Sequence, residues 1–241
     1  MHITAIILAA GSGKRMGGNE KKQYLDLCGH SILWYSLRAF EDSDVDEIII
    51  VCAKEDIERS DAYRSEFHKL TNVVTGGAQR YNSVHHGLKA TEGCDLVLIH
   101  DGARPFVSTD IINGCIRMLD TEEGCVAAVP SKDTVKIIDR GGYVISTPDR
   151  DSVWIMQTPQ AFRYTAIRPA YDRLIEAEES GTLVGVNITD DAMVAEHFGN
   201  IRVKMAEGSY DNIKITTPSD LVIGQAILSG TVIYSTYRMT N

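Results

Sequence analysis

Short apolar runs alternate along this chain with longer segments in which apolar residues recur every three or four positions. The runs predict strands at residues 3–8, 47–52, 72–75, 95–100, 125–129 and 201–206. Some, such as residues 48–51 (IIIV), contain no polar residue at all. Uninterrupted apolar strands are typical of a parallel sheet that is covered on both faces. A mostly parallel sheet is therefore expected.

Segments with helical spacing lie between these strands. They predict helices at residues 31–40, 55–70, 81–90, 109–119 and 164–180, and a last helix begins at Pro218 with Thr217 as its N-cap. Strands and helices that alternate in this way indicate an α/β fold with a doubly wound, Rossmann-like sheet. With 241 residues in all, we expect one domain over residues 1–230 and a C-terminal tail at 231–241.

Residues 131–150 interrupt the alternation. Two short β-like segments, 134–139 and 143–147, flank the sequence Arg140-Gly141-Gly142. This pattern predicts a β-hairpin with a glycine turn. We expect the hairpin to protrude from the main sheet as an arm.

Composition narrows the class of protein. Hydrophobic residues at 44% and charged residues at 24% are ordinary for a soluble globular chain. A net charge of −9 argues against nonspecific binding of nucleic acid or membrane surfaces, which favours a basic face. The five cysteines are odd in number and form no C-x-x-C pair, so free thiols and a cytoplasmic location are expected.

The first strand ends in small residues and is followed by a cluster of positive charge. The small residues are Ala9, Ala10, Gly11, Ser12 and Gly13. Lys14, Arg15 and Lys22 come next. The loop lacks the spacing of a Walker A motif, and Met16 stands where a dinucleotide fingerprint needs its third glycine. Glycines and free backbone N–H groups can surround anionic oxygens, so a polyphosphate site at the carboxyl edge of the sheet is predicted.

An aspartate, Asp101, follows the buried strand at 95–100 and should reach the same edge. A carboxylate there suits Mg²⁺, which commonly bridges a carboxylate to substrate phosphates. An aspartate that merely caps a loop would fit the pattern as well. The neighbouring His100 has no evident metal partner and is interpreted as structural.

Other polar residues have both an ordinary and a functional interpretation. Ser83 follows Gly76-Gly77 and could contact a base or begin a helix, and Thr189 could bind a ligand or be a helix N-cap. Asp211 and Lys214 flank a short β-like run and could be surface ion-pair partners. No single segment decides the function.

Taken together, these segments resemble the 2-C-methyl-D-erythritol 4-phosphate cytidylyltransferase family from residue 6 to about 230. The resemblance rests on residues 8–16, 22–25, 76–77 with Arg80 and 83–84, 100–105, 133–136, 157–160, 189–192 and 212–214. It implies a Rossmann-like nucleotidyltransferase that uses CTP and Mg²⁺, transfers CMP to a polyol phosphate, and releases pyrophosphate without a covalent enzyme intermediate.

The resemblance also implies a role for each matching residue. The implied catalytic residues are Arg15, Lys22, Arg150 and Lys214. Those that would bind the nucleotide are Ala9, Ala10, Gly11, Ser12, Gly13, Gly77, Ala78 and Ser83. Those that would bind the sugar phosphate are Arg104, Thr134, Arg150 and Thr189. The metal would be held by Asp101, with Asp211 as a second carboxylate.

A homodimer is implied as well, in which the arm at 131–150 crosses to the partner and brings Thr134 and Arg150 to the partner's site. The chain departs from the family pattern at Lys21, where proline is usual. That departure predicts a more flexible loop before substrate binds.

Two other functions compete with this one. A sister cytidylyltransferase acts on ribitol 5-phosphate for teichoic acid synthesis, and there we expect glycine at position 10 and serine at position 189. Ala10, Thr189 and the segment around Trp154 favour the methylerythritol enzyme. A non-catalytic nucleotide-binding module would not need the full set of charged residues that the chain retains.

Overall fold

A central sheet of seven strands organises the chain, which a computed structural model describes over residues 1–11, 13, 16–17, 20–91 and 93–230. The strands of the described residues, in the central sheet and in two small two-stranded sheets, are β1 (Ile3–Ala9), β2 (Asp26–Leu27), β3 (His30–Ser31), β4 (Glu47–Cys52), β5 (Leu70–Thr75), β6 (Leu96–Asp101), β7 (Gly124–Pro130), β8 (Ile137–Ile138), β9 (Val144–Ser146), β10 (Trp154–Arg163) and β11 (Val203–Glu207). The helices are α1 (Ile32–Glu41), α2 (Ile57–Asp61), α3 (Arg80–Ala90), α4 (Thr109–Met118), α5 (Tyr164–Glu179), α6 (Asp191–Val194) and α7 (Pro218–Leu228).

The sheet has the strand order β11-β7-β10-β6-β1-β4-β5. Only β10 runs antiparallel to its neighbours β6 and β7, so the expectation of a mostly parallel sheet is confirmed. Sequence reasoning did not identify β10 as a strand. Polar residues and Pro159 interrupt it, and its register shifts between Met156 and Gln160 around the cis Thr158–Pro159 bond.

Helices cover both faces of the sheet, as expected for a doubly wound fold. Ala5 and Ile7 of β1 belong to the core that contains α1 and α4, whereas Ile6 belongs to the core that contains α3 and α5. This alternation follows from successive side chains pointing to opposite faces of a strand. Among the helices within the described ranges, none is long and apolar enough to cross a membrane.

The helix predicted at residues 55–70 is wrong in extent. Only α2 and two flanking 3₁₀ turns form there, because the chain turns before β5 begins at Leu70. Arg64 stabilises that turn by donating hydrogen bonds to the carbonyls of Leu70 and Thr71. The turn places Phe67 in the core, with its ring centroid 6.0 Å from that of Trp34.

Residues 131–150 form the predicted hairpin. β8 and β9 pair with each other in a separate two-stranded sheet. Asp139 stabilises the turn, because its Oδ1 accepts hydrogen bonds from the N–H groups of Gly141 and Tyr143. Apolar side chains of the hairpin face solvent, and Ile138 and Ile145 are 56% and 66% exposed. A hairpin with so much exposed apolar surface is suited to contact another surface.

Helix α3 lies unusually close to the sheet at Gly87. A Cβ atom on Gly87 would lie 2.6 Å from Cγ2 of Ile6 and 3.1 Å from Cγ2 of Val51. By contrast, a Cβ atom on Gly114 in α4 would have Nη2 of Arg117 as its nearest neighbour, at 3.9 Å. The position of α3 matters because its first turn carries Arg80 and Ser83 to the edge of the sheet.

We expect Gly87→Ala to lower the free energy of unfolding by about 1–3 kcal/mol, because the added methyl group pushes α3 away from the sheet. The matched Gly114→Ala should raise it by up to about 1 kcal/mol, since alanine favours a helix and meets no close neighbour. Urea unfolding of both variants measures the difference. Equal effects at the two positions would contradict the close packing of α3.

Candidate active site

A cavity of about 410 Å³ opens at the carboxyl edge of the sheet, where β1 and β6 end side by side. Nine of the residues singled out in the sequence line it: Ala9, Ala10, Gly11, Lys22, Gly77, Ala78, Ser83, Asp101 and Lys214. They come from five separate stretches of the chain: 9–11, 22, 77–83, 101 and 214. The ends of the parallel strands β1, β5 and β6 bring three of these stretches together, and segments outside the sheet add Lys22 and Lys214.

Gly77 forms part of the cavity wall, and the preceding Gly76 packs against Ala10 of the first loop. A Cβ atom on Gly76 would lie 2.7 Å from Cβ of Ala10, and one on Gly77 would lie 2.3 Å from Cβ of Asn82. The Ser83 hydroxyl accepts a hydrogen bond from the Gly77 N–H at 3.0 Å and donates one to the Gln79 carbonyl at 3.2 Å. Ser83 thus stabilises the loop that forms this wall.

Gln23 is a site residue that the sequence analysis did not select. It is buried, and its Nε2 donates to the carbonyls of Ala9 at 2.5 Å and Gly11 at 3.3 Å. Gly13 has a φ of +63°, and a Cβ atom there would lie 3.2 Å from the backbone N of Lys22. These contacts hold the glycine loop against the segment that carries Lys22.

Asp101 lies between two cations at the floor of the cavity. Its Oδ2 is 2.6 Å from Nζ of Lys214, and its Oδ1 is 3.4 Å from Nε of Arg80. Burial alone would raise the pKa of this carboxyl, but Arg80, Lys214 and Arg104 together hold that pKa well below its ordinary value. Asp101 is therefore ionised throughout the physiological pH range.

A buried carboxylate fixes Arg80, which sequence analysis included in a motif but gave no role. Nη1 and Nη2 of Arg80 donate to the two oxygens of Asp191, each at 2.8 Å. Asp191 is fully buried and also accepts a hydrogen bond from the Tyr171 hydroxyl at 2.5 Å. Burial would lower the pKa of Arg80, but Asp191 and Asp101 raise it well above its ordinary value. The guanidinium is a fixed positive charge.

A second cavity of about 290 Å³ adjoins the first and shares Arg80, Asp101 and Lys214 with it. The predicted residues Arg104 and Thr189 line this second cavity. Arg104 donates from Nη1 to the Asn212 carbonyl at 2.7 Å, while its buried Nε lacks a hydrogen-bond partner in the described part of the chain. The guanidinium of Arg104 thus places a positive charge beside the smaller cavity, which suits an anionic ligand.

His100 has a structural role, in agreement with the sequence interpretation. It is fully buried, and burial lowers its pKa to about 3, so the ring is neutral. The Thr158 hydroxyl lies 2.9 Å from Nδ1, and the Arg104 carbonyl lies 3.2 Å from Nε2. Thr158 Oγ1 also accepts the Asp101 N–H at 3.1 Å. The imidazole therefore bridges the Thr158 side chain and the backbone of Arg104, and Thr158 in turn binds the backbone of Asp101.

Four predicted site residues within the described ranges line neither cavity of this chain: Gly13, Thr134, Arg150 and Asp211. Arg150 and Thr134 lie together at the base of the hairpin, with Nη2 of Arg150 3.1 Å from Oγ1 of Thr134. Ser12, Lys14 and Arg15 lie outside the described residues.

The residues present fit a magnesium ion that is held largely by its substrate. Within the described ranges, no group of three or more His, Cys, Asp and Glu side chains is arranged to hold a metal ion. Asp101 nevertheless presents one ionised carboxylate to both cavities. Mg²⁺ is usually bound by one or two carboxylates together with substrate phosphates and water.

Comparison with known proteins gives one consistent result. The family model described as 2-C-methyl-D-erythritol 4-phosphate cytidylyltransferase matches residues 3–230. A protein of that name from Lachnospira eligens is 48% identical over 230 residues, which covers 94% of this chain and 99% of the relative. Another from Lachnoclostridium phytofermentans is 46% identical, covering 94% of this chain and 96% of the relative.

Solved structures agree with the sequence relatives. The 4-diphosphocytidyl-2C-methyl-D-erythritol synthase of Anaerococcus prevotii superposes with a TM-score of 0.83 at 36% identity, covering 95% of this chain and 96% of that one. The 2-C-methyl-D-erythritol 4-phosphate cytidylyltransferase of Francisella tularensis superposes with a TM-score of 0.74 at 31% identity, covering 92% and 98%. Because the family model matches residues 3–230 and the relatives and solved structures of the same name cover nearly the whole chain, the chain belongs to the 2-C-methyl-D-erythritol 4-phosphate cytidylyltransferase family.

Proposed function

We propose that this protein transfers CMP from CTP to 2-C-methyl-D-erythritol 4-phosphate and releases pyrophosphate. Family membership over nearly the whole chain supports the reaction. The observation that carries the proposal within this molecule is that two adjoining cavities share Arg80, Asp101 and Lys214. Two anionic substrates bound side by side would meet at these charges.

CTP occupies the larger cavity in this proposal. Its triphosphate lies along the backbone of residues 9–13, close to Lys22, and its base lies against Gly77, Ala78 and Ser83. Ala10, Gly77, Ala78 and Ser83 line this cavity together, which supports placing the base there. The polyol phosphate occupies the smaller cavity, where Arg104 and Thr189 bind it.

The reaction is an in-line displacement at phosphorus. A phosphate oxygen of the polyol phosphate forms a bond to the α-phosphorus of CTP, while the bond from that phosphorus to the bridging oxygen breaks and pyrophosphate leaves with the electron pair. Lys214, Lys22 and Arg15 neutralise the negative charge that grows on the phosphoryl oxygens. Catalysis thus consists of positioning and charge stabilisation, as in phosphoryl transfer generally.

Mg²⁺ is the proposed cofactor, and Asp101 would hold it. When bound, the ion supplies further positive charge to the triphosphate oxygens. Asp101 stays ionised because Arg80 and Lys214 lower its pKa, so it carries the negative charge that a metal ligand needs. Asp211 stays a second candidate ligand, proposed from the family resemblance alone.

The arm completes the site in a homodimer in this proposal. Thr134 and Arg150 lie next to each other but line neither cavity of their own chain. The exposed apolar side chains of β8 and β9 supply a surface for a partner subunit. Arg150 would then bind the polyol phosphate in the partner's site, a role that suits its planar guanidinium.

We also place the protein in the cytoplasm.

The choice of substrate is tested by incubating the protein with CTP, Mg²⁺ and either polyol phosphate. We expect pyrophosphate release with 2-C-methyl-D-erythritol 4-phosphate, and little with ribitol 5-phosphate. Chelation of the metal should abolish the release. Preference for ribitol 5-phosphate would support the teichoic acid enzyme, and CTP binding without turnover would support a non-catalytic module.

Replacing Lys214 tests charge stabilisation at the reacting phosphate. Lys214→Met should lower kcat on the order of 10²–10³-fold, because one donor to the developing charge is lost. The affinity for CTP should fall much less. Lys204→Met is the matched control, since Lys204 pairs with Glu122 outside both cavities. An equal loss of kcat in the control would contradict the role of Lys214.

Complementation tests the shared site. Lys214→Met disables the site on its own chain, whereas Arg150→Ala disables the site that its arm reaches. In a heterodimer of the two, purified through different tags, one of two sites is intact, so about half of the wild-type activity should return. Heterodimers that form but stay inactive would contradict the exchange of arms.

A further inference from the structure

The segment at residues 20–24, which carries Lys22 into the larger cavity, is attached by charge to residues 55–60. Nζ of Lys21 lies 2.6 Å from Oε1 of Glu55 and 2.6 Å from Oδ2 of Asp56. The Tyr24 hydroxyl lies 2.8 Å from Oγ of Ser60. The two ends of the segment are therefore held by the same stretch of chain.

Arg59 adds a second, reciprocal contact. Its guanidinium carbon lies 4.2 Å from the centre of the Tyr24 ring, and its Nη1 pairs with Oε1 of Glu20. Each of the two stretches thus supplies both a cation and an anion to the other. Such an arrangement fixes the register between them, because a shift would place like charges together.

This arrangement directs the side chains of two adjacent lysines to different places. Lys21 points to the carboxylates, whereas Lys22 lines the cavity. Partial burial would lower the pKa of Lys21, but the hydrogen bonds that it donates to Asp56 and Glu55 raise this pKa, so the side chain is fully charged. Asp56 is the better shielded partner, with its side chain 12% exposed against 69% for Glu55. A shielded pair is stronger than an exposed one.

The sequence analysis expected a flexible loop at this point, because lysine replaces proline there. In the structure, the charged end of the Lys21 side chain contacts both Glu55 and Asp56. The backbone of Lys21 has a φ of −69° and a ψ of 135°, which is also the conformation that proline prefers. A proline would restrict the same backbone without any charge.

We propose that Lys21 is a positioning residue, whose ion pair with Asp56 holds Lys22 ready for the triphosphate of CTP. This inference rests on the proposed function, because it assumes that the larger cavity binds CTP. The ion pair raises the fraction of free enzyme in which Lys22 is in place. Loss of the ion pair lowers that fraction and weakens the apparent affinity for CTP. Saturating CTP returns Lys22 to its position, so kcat changes little.

The experiment compares four variants in steady-state kinetics with thermal unfolding alongside. Lys21→Met and Asp56→Asn should raise KM for CTP about tenfold, with kcat changed less than about twofold. Glu55→Gln should stay near the wild type, because that pair is exposed to solvent. Lys21→Pro should keep a low KM for CTP, and its KM should rise less steeply with salt than that of the wild type.

Several outcomes would overturn the inference. If Lys21→Met lowers the melting temperature but leaves KM for CTP unchanged, the ion pair is merely structural. If Lys21→Pro raises KM as much as Lys21→Met does, the charge of Lys21 attracts the triphosphate directly. Failure of the proposed function looks different, since the wild type itself would then release no pyrophosphate from CTP.

Discussion

The ionised carboxylate of Asp101 is the group on which the arrangement at this edge of the sheet depends. It is buried, and it is stable there because Lys214 and Arg80 lie against its two oxygens. Arg80 in turn stays in place because Asp191 binds it through two hydrogen bonds. The two cavities are thus joined by a chain of alternating charges, in which the loss of any member leaves a buried charge without its partner.

Much of the fold could be predicted because most strands of the sheet are apolar on both faces. β1, β4 and β6 are buried along nearly their whole length, and burial of this kind leaves a continuous apolar run in the sequence. β10 has no such run, because it contains polar residues whose side chains bond to residues around the site, such as Thr158 to His100, and because Pro159 interrupts its pairing. The helix expected at 55–70 does not form over its whole length, because Phe67 has to reach the core. That contact is a tertiary one, and the local spacing of apolar residues does not indicate it.

The candidate site was predictable where the chemistry followed directly from the topology. Small residues and an aspartate at the ends of adjacent parallel strands have to meet, and Ala9 and Asp101 do line one cavity. The pairing of Arg80 with Asp191 left no local signal, because 111 positions separate the two residues. Gln23 was missed for a similar reason, since its role depends on carbonyl groups that only the folded loop presents.

The common wall of the two cavities has a consequence for inhibitor design. A bisubstrate compound, in which a cytidine unit and a phosphorylated polyol are joined through an anionic linker, could lie across both cavities at once. Its linker would pass over Arg80 and Lys214, which line each of them. Joining two fragments in one molecule makes the second contact intramolecular, so the affinity of the joined compound can exceed that of either fragment.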